Sequence, residues 1–378
     1  MPFTDPASYG EWSARMAKKP SIQYLHYSKA GGSSVCSLAR LNNCTTITRP
    51  PGGRNCWDEE LGDGPRWLLP STRRDAGWLP DFHCTHAEGG VAVGVPPSVS
   101  RCILRDQLSR AGRYGWQGNT CEGRLRHTSR HASANGGRSI RAGFFANENF
   151  LPANGSVCAA EFLNVVMLRE PIARVISAWS FMRQYWSQGS KPWPQTSEDR
   201  LALSPVVGNN YYVRQLLGQR GWSLQLARVT KSHFEEALRR LHEFDLVLVL
   251  ETLGQCQALL RLGLGWDIAE LPQSNIATGK RAANTTMGYA GTRRRAPSGN
   301  RSRDEALLLK YNRFDIALYQ EAQRLAATSC AAFDVVAADA TTNADARSAV
   351  AAYRRARRAW CAVSPVPQTR TWDRLFGG

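Results

Sequence analysis

An α/β architecture, with a central and mainly parallel sheet flanked by helices, follows from three observations. Residues 161–168 (EFLNVVML) and 244–250 (FDLVLVL) are short, continuous apolar runs of the kind that form strands buried on both faces. A third run, 21–27 (SIQYLHY), has strand character and is followed, across the break at 28–32, by the helix-compatible segment 33–41. Helical periods separate the later strands, and strands alternating with helices build a layered α/β fold.

In chain order, residues 48–143 are rich in Pro, Gly, Arg, Trp and Cys with weak periodicity, which predicts long loops with short helices, one of them over 99–111. Arg169 to Pro171 ends the 161–168 strand, and Pro171 suits the first turn of a helix running to about residue 188. Further helical segments are expected within 205–218 and over 233–242. Residues 272–303 are polar and basic, 304–327 resume a helical period, and the Ala-rich stretch 335–360 suits one or two helices before a turn-like tail. The expected organisation is an N-terminal segment (1–20), one domain (21–330) with a loop-rich insertion, and a helical extension with its tail (331–378).

The 378 residues suffice for a full core, and 48 Lys+Arg against 31 Asp+Glu give a formal charge of +17. That field draws anionic partners: a polyanionic sugar, a nucleotide, nucleic acid or a membrane surface. Arg dominates the basic runs 73–74, 293–295 and 354–358, and its fork suits sulfate, phosphate and carboxylate. The ten cysteines form no CxxC pair, so a zinc ribbon or redox dithiol has no support, while disulfides stay open. Glycosylation sequons stand at Asn43, Asn154, Asn284 and Asn300. No stretch approaches the roughly 20 apolar residues of a bilayer span, and residues 1–10 lack the apolar centre of a signal peptide.

The most informative segment is 24–34 (YLHYSKAGGSS), where a strand delivers Lys29, Ala30, Gly31 and Gly32 onto a helix that starts near Ser33 and Ser34. Glycines permit close backbone approach, the first helical N–H groups point at an anion, the two serines add hydroxyls and Lys29 adds a full charge. A Walker A loop carries its lysine after the glycines; here it precedes them, which disfavours an ATPase. In a second segment, 168–179 (LREPIARVISAW), Arg169 ends a strand and Ser177 lies two helical turns on, so both reach one phosphate if the helix starts beside the cradle.

Together these segments resemble the sulfotransferases that use 3′-phosphoadenosine 5′-phosphosulfate (PAPS), in particular the membrane-associated, Golgi-type carbohydrate class, over roughly residues 22–325. The resemblance implies a three-layer P-loop-like fold, PAPS as co-substrate with no metal, and a carbohydrate acceptor, either an anionic polysaccharide or a glycan. It implies that Lys29 and the loop Ala30, Gly31, Gly32, Ser33 and Ser34 bind the 5′-phosphosulfate, and that Arg169 and Ser177 bind the 3′-phosphate. Asn275, Lys280 and Arg281 fall in the basic loop where related enzymes close over the nucleotide. Weaker echoes are 209–216 (NNYYVRQL), the strand end Leu250-Glu251-Thr252 and 312–319 (NRFDIALY). Ser28 departs from the family, which commonly has Pro or another residue there.

Sulfuryl transfer asks the protein for positioning, charge neutralisation and a base for the acceptor hydroxyl. His86, then His83, are the expected bases, since imidazole holds a neutral nitrogen at working pH; Glu88, Glu161 and Glu251 are the reserves. The His-x-x-His spacing lacks the further ligands of a metal site. The alternatives are a sulfotransferase for a small hydroxylated molecule, or a noncatalytic protein binding anionic glycans. No nucleic-acid motif accompanies the charge, and a nucleic-acid partner is not expected. The resemblance implies the Golgi lumen, with membrane association only through an anchor not visible in the sequence; the missing signal makes the cytoplasm the alternative.

Overall fold

The computed structural model describes residues 6–46, 55–57, 61, 63, 82–84, 102–104, 120–129, 142–149, 151, 157–186, 194–270 and 301–361. Its centre is a four-stranded, all-parallel sheet of β1 (Ser21–His26), β4 (Phe144–Asn147), β5 (Phe162–Leu168) and β6 (Leu246–Val249), in the order β4-β1-β5-β6. A separate antiparallel pair joins β2 (Phe82–Cys84) to β3 (Cys102–Leu104). The helix expected over 99–111 is therefore corrected: its apolar triplet 102–104 pairs as a strand, with Ile103 opposite His83, so cross-strand pairing overrides the weak helical period.

β1 and β5 are buried along their whole lengths, as their apolar runs require. Alternate residues feed two cores. On the first face Ile22, Tyr24, Val165 and Met167 pack beneath α1 (Pro6–Ala17) and α2 (Gly32–Leu41). On the second, Leu25, Val166, Leu168 and Val249 pack beneath α4 (Pro171–Trp186), α7 (Tyr211–Leu216) and α9 (Lys231–His242). A polar pair pins the register: Gln23 stands opposite Asn164 and donates to its Oδ1 at 3.0 Å. A one-residue slip of either strand would put the two amides on opposite faces of the sheet and break that bond.

The other helices are α3 (Cys121–Ser129), α5 (Ser197–Leu203), α6 (Pro205–Gly208), α8 (Gln219–Ser223), α10 (Arg301–Tyr311), α11 (Arg313–Thr342) and α12 (Ala344–Cys361). The 30 residues of α11 extend for about 45 Å. Leu318, Tyr319, Ala322, Leu325 and Ala326 belong to the second core and Phe333 and Val336 to the first, so α11 passes from one face of the sheet to the other. Its contacts with β6 cover that edge strand. The helix is continuous across residue 330. Tyr9, Trp12 and Met16 of α1, with Tyr353 and Cys361 of α12, share the first core with β1, although sequence assigns both helices to flanking segments. Among the described residues four disulfides, Cys36–Cys56, Cys44–Cys361, Cys121–Cys158 and Cys256–Cys330, join distant parts of the chain.

The expected helix over 304–327 is interrupted at Asn312, and the break has a partner. Asn210, in left-handed backbone at φ 48° just before α7, accepts from the N–H groups of Phe314 and Asp315 at the start of α11. Asp315 accepts in return from Tyr212 and Val213 at the start of α7, at 2.9 and 3.0 Å. Each helix thus caps the other, linking the 209–216 and 312–319 segments across about a hundred residues. Asp315→Ala leaves two buried amides without acceptors and is expected to cost about 3 kcal/mol in urea unfolding, while Asp315→Asn, which keeps an acceptor, costs less.

Candidate active site

All four strands of the main sheet point the same way, and the chain visits them so that its direction of travel reverses between β1 and β5. In open α/β sheets ligands settle at the carboxyl ends of strands flanking such a switch point. Tyr27 to Gly31 lead from β1 into α2 there, and Arg169 ends β5 beside them.

The turn uses left-handed backbone at Lys29 (φ 69°) and Gly31 (φ 84°). Such a conformation costs a lysine roughly 1–2 kcal/mol, and neighbours hold it. Ala30 N–H donates to Tyr27 O at 3.0 Å, and Arg169 Nη1 donates to Lys29 O at 3.1 Å. The glycines serve packing: a Cβ on Gly31 would lie 2.8 Å from Met167 Cε, and one on Gly32 would overlap the His26 ring. No side-chain hydrogen bond caps the N-terminus of α2. Arg169 is itself clamped, since Tyr212 Oη donates to its carbonyl at 2.6 Å and accepts from its N–H at 3.1 Å. Tyr211 Oη accepts from Ser28 N–H. The reciprocally capped helices α7 and α11 therefore hold the two tyrosines that brace both loops.

Lys29 is half-buried and its ammonium lies 4.3 Å from the centre of the Phe181 ring. Phe181 lies one turn beyond Ser177 on the same side of α4, which puts half-buried Ser177 on the helix side that looks toward Lys29. Desolvation lowers the Lys29 pKa, Glu148 opposes that shift, and Arg169 adds to it. Lys29 therefore stands between the Glu148 carboxyl and the Arg169 guanidinium.

That carboxyl is the residue sequence reasoning missed. Glu148 comes directly after β4 and is 4% exposed. Ser28 Oγ donates to its Oε1 at 2.6 Å and Asn55 Nδ2 to its Oε2 at 3.3 Å. His26 Nδ1 lies 3.4 Å from Oε2 without making a hydrogen bond. Burial raises the Glu148 pKa to about 8, against the Ser28 bond and the Lys29 charge. Burial, and then Lys29, lower that of His26 to about 3. Near neutrality both are thus largely uncharged, so neither balances Lys29, while Glu170, next to Arg169, and Glu251, bonded to Glu170 N–H, bring two further carboxyls to the same strand end. The available signal was the apolar run Phe144–Ala146, with Asn147 and then an acidic residue after it, but the run is too short to announce a strand.

Sites expected from sequence divide accordingly. Lys29 through Ser34 and Arg169 come together; Ser33 Oγ donates to Asn55 Oδ1 at 2.5 Å. Glu161 is corrected as a reserve base, because it precedes the amino end of β5, a strand length of about 20 Å from the Arg169 end. Glu251 is at the correct end, but its oxygens accept from Glu170 N–H at 3.0 Å and from Tyr319 Oη at 2.9 Å. His83 lies in β2. His86, Glu88, Asn275, Lys280 and Arg281 fall outside the described residues. The cluster of Cys121, Cys158 and Glu161 has metal-ligand spacing, yet its two sulfurs are joined in a disulfide. Among the described residues no helix is long and apolar enough to cross a membrane. No family model, curated protein or solved structure matches the chain.

A carboxyl whose folded pKa is raised holds its proton longer than in the unfolded chain, so Glu148 removes stability as pH rises from about 4.5 to about 8. His26, with its lowered pKa, has the opposite sign between about 3 and 6.5. Above pH 6.5 only the Glu148 contribution of the pair remains. From pH 6.5 to 8 the wild-type chain is expected to lose up to about 2 kcal/mol relative to Glu148→Gln, measured by chemical denaturation at each pH.

Proposed function

We propose that this protein is a PAPS-dependent sulfotransferase on a P-loop-like fold, transferring a sulfuryl group to a hydroxyl of a carbohydrate. The observation that carries the reading is the convergence of two cationic loops at the switch point: the Lys29 turn, leading into an uncapped helix, and Arg169, bonded to the Lys29 carbonyl. Lys29, Ala30, Gly31, Gly32, Ser33 and Ser34 would receive the 5′-phosphosulfate and Arg169 with Ser177 the 3′-phosphate; Lys280 and Arg281, outside the described residues, are nucleotide contacts expected from the sequence resemblance alone. The +17 formal charge supports an anionic glycan as acceptor.

In the reaction the bond from sulfur to the phosphate oxygen breaks as sulfur bonds to the acceptor oxygen, adenosine 3′,5′-bisphosphate departs, and the acceptor proton passes to a base. Lys29 neutralises charge on the departing phosphate, as positioning and electrostatics dominate the analogous phosphoryl transfer. Glu148 is the base we favour among the described residues, because it is a carboxyl facing Lys29 at the carboxyl ends of the strands. His83 and His86 remain the candidates from sequence. The disulfides support folding in an oxidising compartment, and we place the chain in the secretory lumen, where the sequons are usable.

The test is transfer of radiolabelled sulfate from PAPS to a panel of glycosaminoglycans and neutral glycans. Lys29→Ala is expected to abolish turnover and Glu148→Gln to lower it by about 10²-fold or more, a typical contribution of a general base. Wild-type turnover is expected to rise with pH toward about 8, as Glu148 ionises. No transfer to any acceptor, or undiminished turnover in Lys29→Ala, would remove this reading.

A further inference from the structure

Glu148 does not stand alone at the end of β4. Residues 55–57 run along the outer side of that strand: Ala146 N–H donates to Cys56 O at 2.7 Å, and Trp57 bridges Ala146 in parallel fashion. Cys56 is fully buried and bonded to Cys36 in α2, with the two Cα atoms 5.7 Å apart. The short segment is thus tied covalently to the helix that begins at the Lys29 turn. The tie leaves the Asn55 side chain between that helix and the carboxyl.

The Asn55 amide has its orientation set from both ends. Its Oδ1 accepts from Ser33 Oγ at 2.5 Å, which turns Nδ2 toward Glu148 Oε2 at 3.3 Å. Among the described residues Ser28 and Asn55 are the hydrogen-bond donors to this carboxyl. The ionisable groups facing it are His26 and Tyr24 from β1, Lys29 from the turn and Tyr211 from α7. Glu148 N–H donates to the carbonyl of Asp63, whose carboxylate is paired with Arg124 of α3. Asn55, like Ser28 on the other oxygen, offers a neutral donor that can favour the carboxylate without adding a charge.

We propose that Asn55 is a positioning residue for Glu148, holding the carboxyl in place and favouring its ionised form, and that the Cys36–Cys56 disulfide keeps Asn55 there. As a statement about catalysis this rests on the proposed sulfuryl transfer; as a statement about the ionisation of Glu148 it does not. A hydrogen bond to a charged group is worth enough to move a pKa by about one unit, so its loss moves the Glu148 midpoint upward by about that amount.

The experiment determines that midpoint in the full-length oxidised protein, from the pH dependence of stability relative to the matching Glu148→Gln background, and from the acidic limb of the turnover profile. Asn55→Ala is expected to raise the midpoint by about one pH unit. Asn55→Asp, nearly isosteric and able to keep the Ser33 contact, sets a second carboxyl against the first and raises it further. The paired change Cys36→Ser with Cys56→Ser is expected to act in the same direction as Asn55→Ala. Unmoved midpoints in both Asn55 variants would overturn the positioning role, and an unmoved midpoint in the paired cysteine variant alone would overturn the part given to the disulfide. A shifted midpoint in protein that does not bind adenosine 3′,5′-bisphosphate would leave Asn55 its role and remove the proposed reaction.

Discussion

The burial of β1 between β4 and β5 is the constraint that holds the candidate site in shape. A strand paired on both sides and covered on both faces has no freedom at its end. The turn after β1 is therefore fixed in place: the chain enters left-handed backbone at Lys29, turns at Gly31 and starts α2 directly against His26 and Met167. The unfavourable lysine conformation is maintained by a rigid strand before it, a packed helix after it and the guanidinium of Arg169 on its carbonyl.

The electrostatics grow from the same burial. A carboxyl beside a lysine in water ionises and pairs with it. Here desolvation dominates, leaving Glu148 and His26 both largely uncharged near neutrality, so that Glu148 does not balance the charge of Lys29. Arg169 stands close enough to disfavour the charge on Lys29, a repulsion that an arriving anion would relieve. The tyrosines of α7 brace both loops from behind, and they are placed by an exchange of caps with α11. Residues far from the charge thereby set its geometry.

Much of this was legible in the sequence where a local signal existed. The strands at 161–168 and 244–250 announce themselves by apolar runs, and the Lys29 turn by a strand meeting glycines. The 209–216 and 312–319 segments stood out only as weaker echoes of a family; their reciprocal capping gives them a physical reason, and it depends on a contact across about a hundred residues that no local pattern encodes. β4 is four residues long and directly follows the region of weak periodicity, so neither it nor Glu148 was foreseen. Asn55 depends on the Cys36–Cys56 pairing, and pairings among ten cysteines do not follow from their spacing. The terminal helices were set outside the domain because their composition changes there, whereas the structure packs α1 and α12 into the first core.

If the turn at Lys29 and the end of β5 at Arg169 form one anion site for a nucleotide bisphosphate, the purified chain must bind adenosine 3′,5′-bisphosphate. Calorimetric titration with that nucleotide, alongside Arg169→Ala, decides the matter. Saturable one-to-one binding by the wild-type protein is expected, weakening at least about tenfold in the variant through the loss of about one charge-assisted hydrogen bond. Absence of binding by folded wild-type protein, or equal affinity in Arg169→Ala, would refute the shared site.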